Sequence, residues 1–566
     1  MAYAIVIGMP VLVLILSLAW RFASGPFWLG PNSDPAYQYL MNALYLADHK
    51  VPLYFQHPGT TVQLMGEGII KAFNFCVCDS RMVENVFRAP EFYLHAMYAV
   101  LIIFYAATLM ALAYYAHRRS GDWFFAFLVQ TPAFLYLTMC KEPGFLLVPA
   151  NMCPETLMIG LLNLYGLCLL RAFFVEDKKA SLWTALGWGA VYGLMVASKF
   201  TSLSLLVIPL ALLPALRARL LFCVMAAAAF LLATFPVWSR YASMWGNLYQ
   251  MLTHTEFRGY GPQGLIAWES FRQGLMVTFA QQWLLMSSAV LVLGTVLYYW
   301  IVRGSQNKWN KAGYWAAWVA ATIILQFLMV AKETAYHYMV PAMGLFGFLW
   351  ALMYRSGTGK LWAWRAAGIC FIVSSLMLCF MEIASAHRSS SGAQAFANEV
   401  YRHKGPIICG YYRCSSISYS LAFGDDCYGL SAYKDLIQKL YPTEYVMDIL
   451  QFQINNPQNA FIEDAIARGH QVFLYGSALG EAFFSPLFKV KQVAQSGDEA
   501  VYGVLEANDR KAFQLFYMAQ MALIQGQGQA AYMLGARAKG LGLPGARDFI
   551  VQMDRMIADH KSQRNP

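Results

Sequence analysis

Residues 31–68 read PNSDPAYQYLMNALYLADHKVPLYFQHPGTTVQLMGEG. This stretch holds an acid (Asp34), an aromatic amphipathic run from Tyr37 to Tyr54 and a His57-Pro58-Gly59 turn, and strongly apolar segments flank it on both sides. A long polar first loop in so hydrophobic a chain points to chemistry at a membrane face. The 566 residues are 58% hydrophobic and 13% charged, with a positive mean hydropathy. Soluble domains carry about 25% charged residues, so most of this chain is solvated by lipid. The expected fold class is a polytopic α-helical membrane protein.

A spanning helix needs about 20 mostly apolar residues. Eleven segments qualify, at 4–20, 94–115, 124–140, 156–174, 182–198, 203–216, 220–238, 284–302, 313–331, 339–354 and 366–385. The first lacks the basic start and small-residue cleavage site of a signal peptide, so it reads as a helix. Basic residues cluster in alternate turns (Arg118-Arg119, Lys178-Lys179, Arg217/Arg219, Arg303/Lys308/Lys311, Arg355/Lys360/Arg365), which places those turns in the cytoplasm. The long loops and the tail then face outward together. The expected domains are a transmembrane unit over 1–386 with its first outer loop at 21–93, an extracytoplasmic α/β domain over 387–508 and a tetratricopeptide-like helical hairpin over 509–566. In the tail, short apolar runs at 406–410, 471–475 and 501–505 read as strands between helical patterns.

The net charge of +10 sits mainly in the cytoplasmic turns, so no nucleic-acid partner is expected. Of eleven cysteines, Cys168, Cys223, Cys370 and Cys379 lie in apolar segments as small hydrophobes, and the rest leave several outer pairings open. The chain has no Asn-x-Ser/Thr sequon. That leans towards a bacterial envelope.

Ionisable groups at the lip of a membrane bundle are costly to hold there, which makes them candidates for contact with substrate or ions. The outward set is Asp34, His57, Glu142, Glu155, Lys199, His254, Lys332 and His337. A carboxylate there suits a general base, and cations suit an anionic leaving group. Each also has a plainer reading. Asp34 fits an N-cap before Pro35, Glu155 after Pro154 favours the helix dipole, and Lys199 between two apolar helices fits a snorkelling lysine. His57 and His254 fit ordinary surface positions, while Lys332 with Glu333 fits a local pair worth under ~1 kcal/mol.

Five segments share an order along the chain: Asp34-Pro35-Ala36-Tyr37-Gln38, Tyr54-Phe55-Gln56-His57-Pro58-Gly59, Cys153-Pro154-Glu155, the Gly193-Leu194 to Ser198-Lys199-Phe200-Thr201 turn, and Lys332 followed by His337-Tyr338 and Pro341. Together they resemble the GT-C superfamily of integral-membrane glycosyltransferases, most nearly the bacterial protein O-mannosyltransferase and lipid A aminoarabinose transferase group. The likeness runs over roughly the first 345 residues. It implies that Asp34 is the catalytic acid/base, that Glu155 is a second carboxylate in the cavity, and that Lys199 and His337 hold a polyprenyl phosphate. Pro35 replaces a second acid, and Gln56 stands where relatives carry a Glu; both departures weaken the case for a bound divalent cation.

The expected activity is transfer of a sugar from a polyprenyl-phosphate donor to an envelope lipid, glycan or protein outside the cytoplasmic membrane, with inversion and Asp34 as base. His57, His254, Lys332 and Tyr338 are expected to contact substrate. A lipid-linked sugar transporter or flippase is the rival from another class, and a membrane-anchored scaffold is a third reading.

Overall fold

The computed structural model describes residues 2–29, 36–56, 59–77, 81–138, 148–175, 178–255, 259, 261–303, 311–332, 335–357 and 360–400. Beyond these it describes 407–409, 417–425, 432–441, 446–448, 453–455, 473–477, 488–496, 499–507, 512, 515–516, 518–519, 528–542, 546–551 and 553–554. The chain divides into two compact units. One comprises Met1–Phe27, Asp34–Tyr249 and Ile266–Arg388, and the other comprises Trp28–Ser33, Gln250–Leu265 and Ser389–Pro566.

Among the described residues up to 400 the extended secondary-structure elements are helices. In chain order the helices are α1 (Ala2–Ala23), α2 (Ala36–Ala47), α3 (Thr60–Val77), α4 (Met82–Arg88), α5 (Pro90–Ser120), α6 (Trp123–Leu128), α7 (Pro132–Thr138), α8 (Pro154–Phe174), α9 (Lys178–Ser198), α10 (Val207–Leu212), α11 (Leu216–Ala233), α12 (Tyr241–Thr253), α13 (Trp268–Gln281), α14 (Trp283–Arg303), α15 (Lys311–Lys332), α16 (Val340–Met343), α17 (Phe346–Arg355) and α18 (Leu361–Val400). Helix α5 shows how local chemistry sets such boundaries. Pro90 stands at its start with Glu91 in the first turn, His117, Arg118 and Arg119 fill the last turn, and Gly121 ends it at φ 69°. Proline tolerates the donor-free first position, the charges complement the helix dipole, and glycine takes the left-handed cap without strain.

The chain is a multi-pass helical membrane protein, as its hydropathy requires. Among the described residues, α1, α5, α8, α11, α15 and α18 are long and apolar enough to cross a membrane, and α13 with α14, bent by 97° at their junction, would make a seventh. The expected span at 182–198 is the continuous helix α9, and three others differ. The segment expected at 124–140 is α6 and α7 with a break before Pro132, and that at 339–354 is α16 and α17 with a break at Gly344-Leu345. The segment expected at 203–216 is a 3₁₀ run, Phe200–Leu206, leading into α10. Proline without an N–H explains the first break. The second lies beside a backbone crossing, where a Cβ on Gly347 would sit 2.4 Å from the Leu128 carbonyl oxygen.

The segment expected as the first outer loop is itself structured, with α2, α3 and α4 inside it. All twelve residues of α2 are buried, and Tyr54 is buried too. The aromatic run therefore packs within the protein and offers no open stacking surface along α2. Between α9 and α11 the backbones approach closely. A Cβ on Gly193 would lie 2.2 Å from the Ala226 carbonyl oxygen, and one on Gly189 would lie 2.4 Å from that of Phe222. This is the small-residue contact that membrane helices use in place of a hydrophobic driving force. It explains the glycine that opens the Gly193-to-Thr201 motif.

The second unit contains a sheet of order β1-β4-β6-β5, from β1 (Ile407–Cys409), β4 (Phe473–Ser477), β5 (Phe488–Ser496) and β6 (Glu499–Ala507). Strand β1 runs parallel to β4, and the other pairs are antiparallel. A separate antiparallel pair joins β2 (Val446–Asp448) to β3 (Gln453–Asn455). The three expected strands correspond to β1, β4 and β6. Strand β5, with Lys489 and Lys491 breaking its apolar run, gave no such signal. Near the C-terminus, α19 (Ile417–Asp425) and α20 (Lys434–Leu440) are followed by α21 (Gly528–Gly540). Ala512, Phe516, Ala538 and Ala546 form a small core with Leu515 and Phe549.

Candidate functional site

Three segments that are remote in sequence converge around one carboxylate. Cys153 has extended backbone at the N-cap of α8, Pro154 takes the first helical position, and Glu155 follows in the first turn. This start is fixed locally. The Thr156 hydroxyl donates to the Asn151 carbonyl at 2.7 Å and lies 3.3 Å from the Cys153 sulfur. The Glu155 side chain is turned inward and is 4% exposed.

Lys199 follows α9, where the chain extends for one residue (φ −162°, ψ 135°) before the 3₁₀ run begins. Its N–H still bonds the Met195 carbonyl at 2.9 Å. The side chain is 2% exposed, and its Nζ donates to Glu155 Oε1 in a fully buried ion pair. A lysine snorkelling to headgroups would leave its ammonium wet, so that plainer reading does not hold here.

His337 and Tyr338 come from the third segment, the 3₁₀ turn Tyr336–Met339 after α15. His337 Nε2 is 3.8 Å from Glu155 Oε1. Lys199 Nζ lies 5.0 Å from the centre of the Tyr338 ring, within cation–π range. The two rings meet edge to face at 4.5 Å. A polar relay fixes this turn. Gln326 Nε2 donates to the Tyr338 carbonyl at 2.7 Å, and the Ser204 hydroxyl donates to Gln326 Oε1. Neither Ser204 nor Gln326 stands out in the sequence, because Ser204 is one of several small hydroxyl residues after Lys199 and Gln326 is a lone amide in an apolar stretch. Gln326→Leu should leave the part-buried Tyr338 carbonyl and the buried Ser204 hydroxyl without this partner and cost about 1–3 kcal/mol, measurable as a fall in melting temperature in detergent.

The first outer loop reaches the same place. His57 and Pro58 lie outside the described residues, as do Asp34 and Glu142. Gly59, at φ 62°, donates its N–H to the Ser198 carbonyl at 3.1 Å. The Thr61 and Ser198 hydroxyls meet at 2.7 Å across 137 residues of sequence. The end of the Tyr54-to-Gly59 motif is thus bonded one residue away from Lys199. Asn42 steadies that approach from α2, its Oδ1 accepting from the N–H groups of Leu53 and Tyr54 at 2.7 and 2.8 Å.

Lys332 is the last residue of α15 and is half-buried. His254 belongs to the second unit, where it follows α12 with its Nδ1 3.0 Å from the Thr253 hydroxyl and pairs with Gln263 in an antiparallel bridge.

A buried cation and carboxylate beside a half-buried imidazole and phenol ring can exchange a partner for a ligand anion. The ammonium has three donor directions, so a phosphate oxygen can join or displace Glu155 there. Burial pushes the Cys153 thiol up, and the Glu155 carboxylate pushes it further, so it stays protonated and is no thiolate nucleophile. Among the described residues no group of three His, Cys, Asp or Glu side chains is placed to hold a metal ion.

No family model matches the sequence, and no curated protein matches it. In the comparison with solved structures, the chain is similar to the crystal structure of ArnT from Cupriavidus metallidurans bound to undecaprenyl phosphate, with a TM-score of 0.49 and 12% identity over 88% of this chain and 98% of that one. It is also similar to the apo state of the same protein, with a TM-score of 0.45, 11% identity and the same coverage.

Proposed function

We propose that the chain is a GT-C glycosyltransferase that moves a sugar, hexose or pentose, from a polyprenyl-phosphate carrier to a lipid, glycan or protein of the envelope. The observation that carries this reading is the buried Lys199–Glu155 pair with His337 and Tyr338 against it, because it draws three separately read motif segments to one point. Lys199, His337 and the Tyr338 ring face form the phosphate side of the site. In the reaction an acceptor oxygen attacks the anomeric carbon, the carbon–oxygen bond to phosphate breaks, and its electron pair leaves on the phosphate beside Lys199. Asp34 takes the acceptor proton, Glu155 orients the acceptor and Lys199, and the anomeric centre inverts. His57, His254 and Lys332 are further candidates for substrate contact. The site faces the extracytoplasmic side of the inner membrane, as does the C-terminal domain.

The purified protein, given radiolabelled polyprenyl-phosphate sugars and an envelope extract, is expected to move label to an acceptor. Absence of transfer from every donor, together with scrambling of labelled lipid in reconstituted vesicles, would instead establish a lipid-linked sugar transporter.

A further inference from the structure

Helices α13 and α14 meet at 97°, so the two cannot both run along the bilayer normal. Helix α14 is long enough to cross alone. Its 21 residues, Trp283–Arg303, extend about 31 Å at 1.5 Å per residue, which matches a hydrocarbon core of about 30 Å. With α14 upright, α13 runs nearly parallel to the plane of the bilayer.

The sequence of α13, WESFRQGLMVTFAQ, divides into three faces. Gly274 and Thr278, one turn apart, are buried, and the helix packs against α15. Trp268, Met276 and Phe279 are 71%, 55% and 46% exposed. At 3.6 residues per turn these three fall within an arc of about 80°. Glu269, Ser270 and Gln273, also exposed, lie on the remaining side. Arg272 falls within the apolar arc, but its guanidinium bonds Glu269 Oε1 at 2.7 Å. That bond draws the charge towards the polar side and leaves the methylenes of Arg272 on the apolar one. It also pairs the only acid and the only base of the helix, so α13 carries no net charge.

The apolar surface continues past α13. Trp283 is exposed at the start of α14, and Val290, Leu291 and Leu297 are exposed along it, as befits the side that a spanning helix turns to lipid. Tryptophan at both ends of α13, at 268 and 283, suits the level of the headgroups.

We propose that α13 is an interfacial helix whose partner is the phospholipid surface. Trp268, Met276 and Phe279 enter the boundary between headgroups and acyl chains, to a depth of about 5–10 Å, while Glu269 and Gln273 stay in water and α14 alone makes the crossing. Attraction to anionic lipid plays no part, because the Glu269–Arg272 pair neutralises the helix. Seating on lipid requires nothing of the sugar-transfer reaction.

The test uses Gln273→Cys, Met276→Cys, Phe279→Cys and, as a marker of the hydrocarbon, Val290→Cys, each in the full-length protein in phosphatidylcholine nanodiscs. All four positions lie in the segment 273–303, which contains no native cysteine, so labelling by a charged, water-soluble maleimide can be followed on that peptide by mass spectrometry. The protein itself leaves 273, 276 and 279 open, and lipid is what distinguishes them. Gln273→Cys should label about tenfold faster than Met276→Cys and Phe279→Cys, and the ratio should hold when phosphatidylglycerol replaces part of the lipid. Fast, equal labelling at all three would place α13 in water, and labelling of all three as slow as Val290→Cys would make it half of a broken span. Either result overturns the proposal, as does a ratio that emerges only with phosphatidylglycerol present.

Discussion

Lys199→Ala is expected to lower the stability of the folded protein by about 3–5 kcal/mol, because it leaves the Glu155 carboxylate buried without its counter-ion. The same change should cut transfer by about 10²–10³, the usual effect of removing one donor to a developing anion. A stability loss alone can mimic an activity loss, so the informative variant is the double one. Glu155→Gln with Lys199→Met replaces both charges by neutral groups of similar size, and swapping a buried pair for well-packed neutral groups is often close to neutral in stability. The double variant should melt near the wild type and still fail to turn over. Activity restored along with stability would show that the pair only holds the fold together. Thermal melting in detergent and the labelled-donor assay decide between these outcomes.

Asp34→Asn has the opposite profile. The change keeps size and hydrogen-bonding shape but removes a base, and general-base catalysis typically contributes 10²–10⁴-fold. Transfer should fall by about that factor while the melting temperature stays put and donor binding is retained. A full rate would remove Asp34 from the chemistry and make Glu155 the next candidate. An acceptor that is itself a phosphate needs no base, so a small effect restricted to such acceptors would assign Asp34 an orienting role.

Much of this was legible in the sequence because its signals are local. Pro154-Glu155 marks the start of α8 by proline tolerance and dipole, and Lys199 marks the end of α9 by interrupting an apolar run. The grouping of these residues was not legible. That Ser198 bonds Gly59, or that the Tyr338 ring, its carbonyl held by Gln326, lies by Lys199, depends on packing between helices far apart in the chain. The broken spans were misread for a related reason. Hydropathy averages over a window, whereas breaks such as those at Gln130-Thr131-Pro132 and at Gly344 are made by single residues and by a neighbouring backbone.

Helices α8 and α9 are consecutive, and the Glu155–Lys199 pair joins their two far ends. During biosynthesis such a hairpin can bring both charges into the bilayer already neutralised, where each alone would cost up to about 2.5–3.5 kcal/mol at the membrane centre. Insertion of this part of the chain can therefore be completed before α15 and the His337 turn have been made. A cell producing a variant that lacks only one of the two charges is then expected to lose protein at the translocon and to its quality-control proteases, so that low abundance precedes any defect in the finished protein.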